Sequence, residues 1–573
     1  MIGWLRKRIS REKQSAASGM VFEATSAPTS RRSRNRALMT MGVFFAIYAT
    51  IGGRLIYFGF QGPNTDGGPA PHITASRPDI VDRNGAVLAT DIKTFSLFAE
   101  PRRIIDADET IEKLSTVLPD LPMEETYRKL KSGKGFIWLR RQLSPRQQND
   151  IMQLGLPGIG FRTENRRFYP AGPATSYIVG LTNRDNKGIS GLEKYIDDQG
   201  FADLQASGLA DPQSLKPFKL SIDLRVQHIV RDEAIQAMQR FHAIAAGAVV
   251  LNAKTGEVIA MASVPDFDPN NPVDAQDKDK LNRMSAGLYE MGSTIKSFTT
   301  AMALDSGKVN LNSTFDARKP ITIGRRTIRD FHGKNRILTV PEVFIYSSNI
   351  GSAREADVVG IEGHREFLKR LGLLDRMQTE LPEVATPTEP KVWKKVHSIT
   401  IAFGHGMSTT PLQTAVGAVA LLNGGRLMPP TFLPRTLDEA MAVSNQVISE
   451  KTSEDMRYLY RLNSTAPGGS GKRAAVPGYR VGGKTGTAEK VVNGRYASNK
   501  RFNAFLAAFP MDDPQYVVLS IIDEPQPEKP GMGATAGLNA APIVANIIRR
   551  SASMLGVEPD FGQEKAFTVV SSE

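Results

Sequence analysis

Among 573 residues this chain has no cysteine, three tryptophans and seven histidines. The missing cysteine excludes disulfides, thiolate metal sites and a cysteine nucleophile, and it suits a chain that works where stray oxidation is a hazard. No His-Glu-x-x-His zinc pair and no Gly-x-Ser-x-Gly elbow occurs, and no internal repeat is visible. At 41% hydrophobic and 23% charged residues, the composition is neither that of a disordered chain nor that of a multi-span membrane protein. The length exceeds one ordinary core and implies two or three domains.

The net charge of +13 is unevenly placed. Residues 1–36 hold nine Lys/Arg against Glu12 and Glu23, so this tail alone contributes +7. The remaining +6 spread over the other residues does not make a nucleic-acid surface. After Arg34 and Arg36 comes an uncharged stretch, Ala37 to Gly53, and apolar residues resume beyond Arg54 as far as Phe60. About 20 apolar residues are needed to span a bilayer, and a terminal Arg can snorkel. The expectation is therefore one transmembrane helix over 37–60, retained rather than cleaved as a signal peptide, because the basic prelude and the apolar run are both long. Lys/Arg asymmetry places the basic tail 1–36 in the cytoplasm and everything after residue 60 outside.

Gln61 to Pro71 is rich in Pro and Gly and reads as a linker, 61–74. Residues 75–215 mix short strands and helices. Asp79 to Ala89 predicts two strands joined at Asn84-Gly85, and Thr110–Leu118 and Glu124–Lys131 have helical spacing. A second region, 216–553, starts with a strand and a helix reaching about Phe241, then two apolar strands within 246–262 around Lys254-Thr255-Gly256. Asn503–Phe509 and Tyr516–Ile522 are further strands, with helical segments at Ser293–Ser306, Pro341–Glu355 and Pro411–Asn423 between. Strands at both ends with helices between predict an α+β fold, an antiparallel sheet packed between helical layers. Residues 554–573 read as a tail.

Three short peptides carry the chemistry. In Ser293-Thr294-Ile295-Lys296 the apolar run that follows predicts a helix, so that Lys296 can reach the Ser293 hydroxyl from the same face. Free N–H groups at a helix start can hold an oxyanion, and a lysine acts as base only if burial or a neighbouring cation lowers its pKa. The bland alternative is a capping serine beside a surface lysine. Ser347-Ser348-Asn349 is expected on the next apolar helix, with Ser347 passing a proton and Asn349 orienting Lys296, or simply as polar residues in a helix crossing. Lys484-Thr485-Gly486-Thr487 offers a cation, hydroxyls and backbone N–H groups to an anionic terminus. Gly478 to Thr485 also fits a P-loop pattern, but Pro477 precedes it, and Gly486 and Asn493-Gly494 interrupt any helix after it. His405, in Gly404-His405-Gly406, reads as structural or site-lining rather than as the base.

With the three motifs in this order behind one anchor, the chain resembles the class B penicillin-binding proteins, monofunctional peptidoglycan D,D-transpeptidases. Arg77 to Gly85, Arg167 to Gly172 and Gly188 to Glu193 resemble the family's noncatalytic pedestal segments, with Pro78 where the family usually has Gly. Phe403 to Gln413 resembles its glycine turn before a helix. The resemblance implies a transpeptidase domain on an elongated, dimerisation-like pedestal, and no cofactor or metal. It implies that Ser293 attacks a D-Ala-D-Ala stem peptide with Lys296 as base, while Ser347 and Lys484 relay the proton. Asn349 would hold the donor peptide, and Thr485, Gly486 and Thr487 its terminal carboxylate, with Ser293 and Thr487 N–H groups as oxyanion hole. β-Lactams should acylate Ser293. Asn349 and the Gly-His-Gly turn resemble the septal, division-type enzymes more than the elongation type. That implies as partners a glycan polymerase of the shape, elongation, division and sporulation family and divisome proteins. The other readings are a serine β-lactamase, whose Glu-x-x-Leu-Asn loop is missing after the serine motifs, and an anchored β-lactam sensor, for which a 36-residue tail leaves no output domain.

Overall fold

The computed structural model describes residues 31–60, 76–200, 216–324, 326–492 and 494–562. The linker 61–74 and most of the tail 554–573 lie outside the described residues, as does the basic tail up to residue 30. A helix runs Arg31–Phe60 over the expected anchor, its apolar residues from Leu38 to Ile51 exposed. Among the described residues no helix is long and apolar enough to cross a membrane. Thr40, Tyr48, Thr50, Gly52, Gly53 and Arg54 dilute this one.

The pedestal is built on the long strand Val87–Ala99, which pairs antiparallel with Ile80–Val81, Ile137–Leu143 and Ile159–Phe168. The tight turn before it is the expected Asn84-Gly85, with Gly85 at φ +90° where L side chains are strained. Helices Ala107–Val117 and Met123–Leu130 occupy the two helical stretches read from spacing. The three segments that resemble pedestal motifs meet in one ionic knot. Arg77 donates to Glu193 (2.8 Å) and Asp197 (2.6 Å), and Arg167 to Glu193 (2.6 Å), Asp91 (3.0 Å) and the Pro78 carbonyl (2.7 Å). Arg77, Arg167 and Glu193 are buried, so each charge is held by its partners rather than by water.

Phe218–Lys219 returns to the pedestal sheet, parallel to Ile80–Val81, before the chain enters the second region. There a five-stranded antiparallel sheet has the spatial order Gly482–Val492, Arg495–Phe509, Tyr516–Asp523, Ala245–Asn252, Val258–Val264. Tyr516–Asp523, Val258–Val264 and, but for Asn252, Ala245–Asn252 are buried throughout, as the continuous apolar runs require when both faces are covered, whereas Arg495–Phe509 is buried only from Phe502 on. Helices Leu224–Arg240 and Ala540–Ser551 pack on one face. Pro411–Leu422, buried along its whole length, packs on the other, beside Lys296–Asp305 and Glu450–Thr465. The sheet between helical layers thus forms as expected.

The seam between pedestal and sheet domain is packed. Ile80, Leu88, Val179 and Leu192 share one apolar cluster with Val249 and Met261. Across it Gln227 donates to the Ala174 carbonyl (2.7 Å), Tyr177 to the Pro265 carbonyl (3.0 Å), and the Gly191 N–H to the Glu383 carboxylate (3.2 Å).

Candidate active site

Ser293 sits in a short 3-10 turn, Gly292–Thr294, and Lys296 opens the helix that runs to Asp305. Thr294 fixes the turn by donating its hydroxyl to the Met291 carbonyl at 2.7 Å. Two glycines let other backbone press against it. A Cβ on Gly404, at φ +95°, would lie 1.9 Å from the Gly292 carbonyl oxygen, and one on Gly486 would lie 2.5 Å from the Met291 carbonyl oxygen. Only glycine fits at either point. The serine turn is thereby wedged between the Gly-His-Gly turn and the Lys484–Thr487 segment.

The Ser347-Ser348-Asn349 segment is a junction between two helices, not part of one as the apolar spacing suggested. Val340–Ile345 ends in a Schellman closure: the Ser347 N–H donates to the Phe344 carbonyl (3.2 Å) and the Ser348 N–H to the Val343 carbonyl (3.0 Å). Ser347 takes the left-handed position usually given to glycine, at φ +55°. Ser348 then caps the next helix, Asn349–Val359, accepting from the Gly351 N–H (2.9 Å) and donating to Asp330 (2.7 Å). The sharp turn lifts the Ser347 hydroxyl off the helix end.

That hydroxyl lies 3.1 Å from Lys296 Nζ and 3.0 Å from Lys484 Nζ. Lys296 also donates to the Ser347 carbonyl (2.5 Å) and to Asn349 Oδ1 (2.7 Å), and the Asn349 amide is fixed by the Arg329 carbonyl (2.9 Å). The Ser293 hydroxyl makes no hydrogen bond among the described residues, so the expected direct bond from Lys296 is not formed. Lys296 is instead held against the helix junction, one proton transfer away from Lys484 through Ser347.

Both lysines are almost completely buried, at 1% and 0% exposure. Burial pushes the Lys296 ammonium down to about 7, against the opposing pull of Asp330 and Glu355. Burial, then the neighbouring charge of Lys296, holds Lys484 well below its ordinary range. Two cations sharing one hydroxyl in a dry site cannot both stay protonated, so a neutral amine is available near neutral pH. This is the pKa condition that the sequence set for a lysine base.

Lys484, Thr485, Gly486 and Thr487 lie on Gly482–Val492, at the edge of the sheet. The segment is a strand, paired Lys484↔Leu506 through Thr487↔Asn503, and not a phosphate loop opening a helix. Thr485 shares a hydrogen bond with Ser470 (2.8 Å), and Thr487 Oγ1 accepts from the Ala536 N–H (3.2 Å). An edge strand with a buried lysine and two hydroxyls can take an extended peptide that ends in a carboxylate.

Several supporting residues escaped the sequence reading. Asp330 orders the helix junction, accepting from Ser348 and from the Ile350 N–H (2.9 Å). Asn463 donates to the Gly483 carbonyl (2.7 Å) and accepts from the Ser470 N–H (3.1 Å), setting the edge strand against the Gly-rich loop 468–471. Glu290 accepts from the Gly406 N–H (2.8 Å) and from Tyr496 (3.2 Å), and it bonds His405 Nδ1 at 2.9 Å. His405 is thus a strut between turns. Of these, only the glycine run around Ser470 leaves a local signal, and it marks a loop without saying what the loop touches.

Comparison with known proteins reaches the same ground. Residues 246–549 match the penicillin binding protein transpeptidase domain, and residues 72–199 the penicillin-binding protein dimerisation domain. The chain is 39% identical over 508 residues to the probable peptidoglycan D,D-transpeptidase FtsI of Caulobacter vibrioides, covering 87% of this chain and 85% of that protein. It is 35% identical over 512 residues to the probable peptidoglycan D,D-transpeptidase PenA of Neisseria gonorrhoeae, covering 85% and 86%. With the peptidoglycan D,D-transpeptidase FtsI of Escherichia coli K12 it shares 30% identity over 529 residues, covering 87% and 88%.

Proposed function

This chain belongs to the class B penicillin-binding proteins, FtsI-like in kind, and on that premise we propose that it cross-links peptidoglycan stem peptides through an acyl-enzyme on Ser293. One observation carries the assignment of residues: two buried lysines share the hydroxyl of Ser347 beside the serine turn.

In the proposed sequence the Ser293 oxygen attacks the carbonyl between the two terminal D-alanines and its proton passes to neutral Lys296. The backbone N–H groups of Ser293 and Thr487 hold the oxyanion. The C–N bond then breaks, and the leaving amine takes its proton through Ser347, which connects Lys296 to Lys484. Asn349 holds the donor peptide, while Thr485, Gly486 and Thr487 receive the terminal carboxylate. The amine of a second stem peptide attacks the acyl-serine, releases Ser293 and completes the cross-link. A β-lactam enters by the first half of the same sequence.

The transpeptidase domain spans 216–553 and the pedestal 75–215, and the helix over 37–60 anchors the chain in the bacterial inner membrane with its N-terminus in the cytoplasm. Support comes from the exposed apolar surface of that helix and from Thr50, whose hydroxyl returns to the Ala46 carbonyl (2.7 Å) and so needs no water. The role is septal, in partnership with a glycan polymerase of the shape, elongation, division and sporulation family and with divisome proteins. Labelled penicillin should mark the full chain but not Ser293→Ala, and labelling of that variant would remove the nucleophile. Depletion should give filaments, whereas round or swollen cells would assign the enzyme to elongation.

A further inference from the structure

Behind Lys296 lies a second buried ionisable group for which the reaction above has no use. Glu355 stands on the helix that begins at Asn349 and has no exposed surface. Thr300, one helical turn after Lys296, donates its hydroxyl to Glu355 Oε2 at 3.0 Å. The other carboxyl oxygen, Oε1, has no hydrogen-bond partner among the described residues. Nor does the buried hydroxyl of Ser352, one turn before Glu355. The serine helix and the helix from Asn349 therefore face each other across polar groups that are incompletely paired.

We propose that Glu355 is a positioning residue for acylation: its carboxyl, behind Lys296, sets how readily that lysine takes the proton of Ser293. This rests on the reading of Ser293 as nucleophile and Lys296 as base.

When Lys296 gains that proton, an ammonium appears in a dry site beside Lys484, which repels it. Two carboxyls act on it in the opposite sense, Asp330 and Glu355. Both oxygens of Asp330 are already committed, to the Ser348 hydroxyl and the Ile350 N–H. Glu355 keeps one oxygen uncommitted and is free to change its charge. Burial pushes its carboxyl upward, against the Thr300 bond and the charge of Lys296, so lysine and carboxyl titrate as a coupled pair. Of the other charged groups on elements around this helix, Glu362, Glu366 and Lys369 lie on the helix Ile361–Arg370 away from its buried residues, and the following are engaged elsewhere. Lys395 pairs with Asp357, Asp316 with Arg318, and Glu342 with Arg336, while Arg354 donates to the Asp316 carbonyl and burial holds His364 neutral.

The test is the pH dependence of Ser293 acylation by labelled penicillin, in full-length wild type, Glu355→Gln and Thr300→Val, with thermal unfolding as the check on folding. Gln keeps the volume of Glu355 and an acceptor for Thr300 but cannot carry charge. Losing a nearby opposite charge favours the neutral amine, so the Lys296 limb should move to lower pH by about one unit or more, with a severalfold lower plateau for the weaker base. Thr300→Val removes the bond that favours the ionised carboxyl, and should move the limb the same way by less. A purely structural role would lower the rate without moving the limb. An unmoved limb in folded Glu355→Gln overturns the proposal; should that variant not fold, Thr300→Val decides on the same criterion. Wild type that is not acylated at Ser293 would instead overturn the underlying reading.

Discussion

Ser347 joins the two halves of the site at a backbone cost. It holds a left-handed conformation at φ +55° that costs a non-glycine residue roughly 1–2 kcal/mol. Two substitutions separate this strain from the chemistry. Ser347→Ala should lose the hydroxyl and keep the strain, whereas Ser347→Gly should lose both. The glycine variant is expected to be the more stable by about 1 kcal/mol in denaturant unfolding, with both acylated roughly 10²–10⁴-fold more slowly than wild type. Equal stabilities would mean that the strain is absent. Lys296 gives the matching prediction in pH. Its folded pKa is depressed to about 7, so the neutral base accumulates as pH rises through that value. The second-order rate of penicillin acylation should climb across that region and level above it. A limb near the ordinary lysine value of 10.5 would contradict the burial argument.

At the scale of elements, the serine turn depends on backbone contacts that side chains would block. Gly404→Ala should place a methyl on the Gly292 carbonyl in a left-handed residue, costing at least about 2 kcal/mol and most of the labelling. Gly307→Ala is the control: its φ is also positive, at +70°, but nothing lies within 4 Å, so it should cost about 1 kcal/mol and leave labelling intact. Equal effects of the two on labelling would show that the close approach is not what matters. These contacts also explain what could be read beforehand. The strand through Lys484–Thr487 was legible because glycine at 486 and Asn493-Gly494 forbid a helix. The break at Ser347 was not, because apolar residues continue on both sides and no glycine marks the left-handed position. Asp330, Glu290 and Glu355 were illegible for another reason. Their partners lie 18 to 206 residues away, so only the fold brings them to the site.

Over the whole molecule, the two regions are tied by a packed seam, and the pedestal itself is held by the Arg77–Glu193–Arg167 knot. The three peptides that form the knot were recognisable in sequence by resemblance, but nothing in their spacing says that they meet. Removing one partner strands buried charge, so Glu193→Gln should destabilise the protein by about 3–5 kcal/mol. Its folded fraction should still acylate at the wild-type rate, since no residue of the knot touches the serine turn. A slowed rate in folded protein would show that the pedestal acts on the site. The central claim, that a nucleophile at Ser293 works with two buried lysines, is tested most directly by mapping the penicillin adduct on the full chain. Trypsin should release the adduct on Met284–Lys296, with fragment ions placing it on Ser293. An adduct on another residue, or none on folded protein, would contradict it.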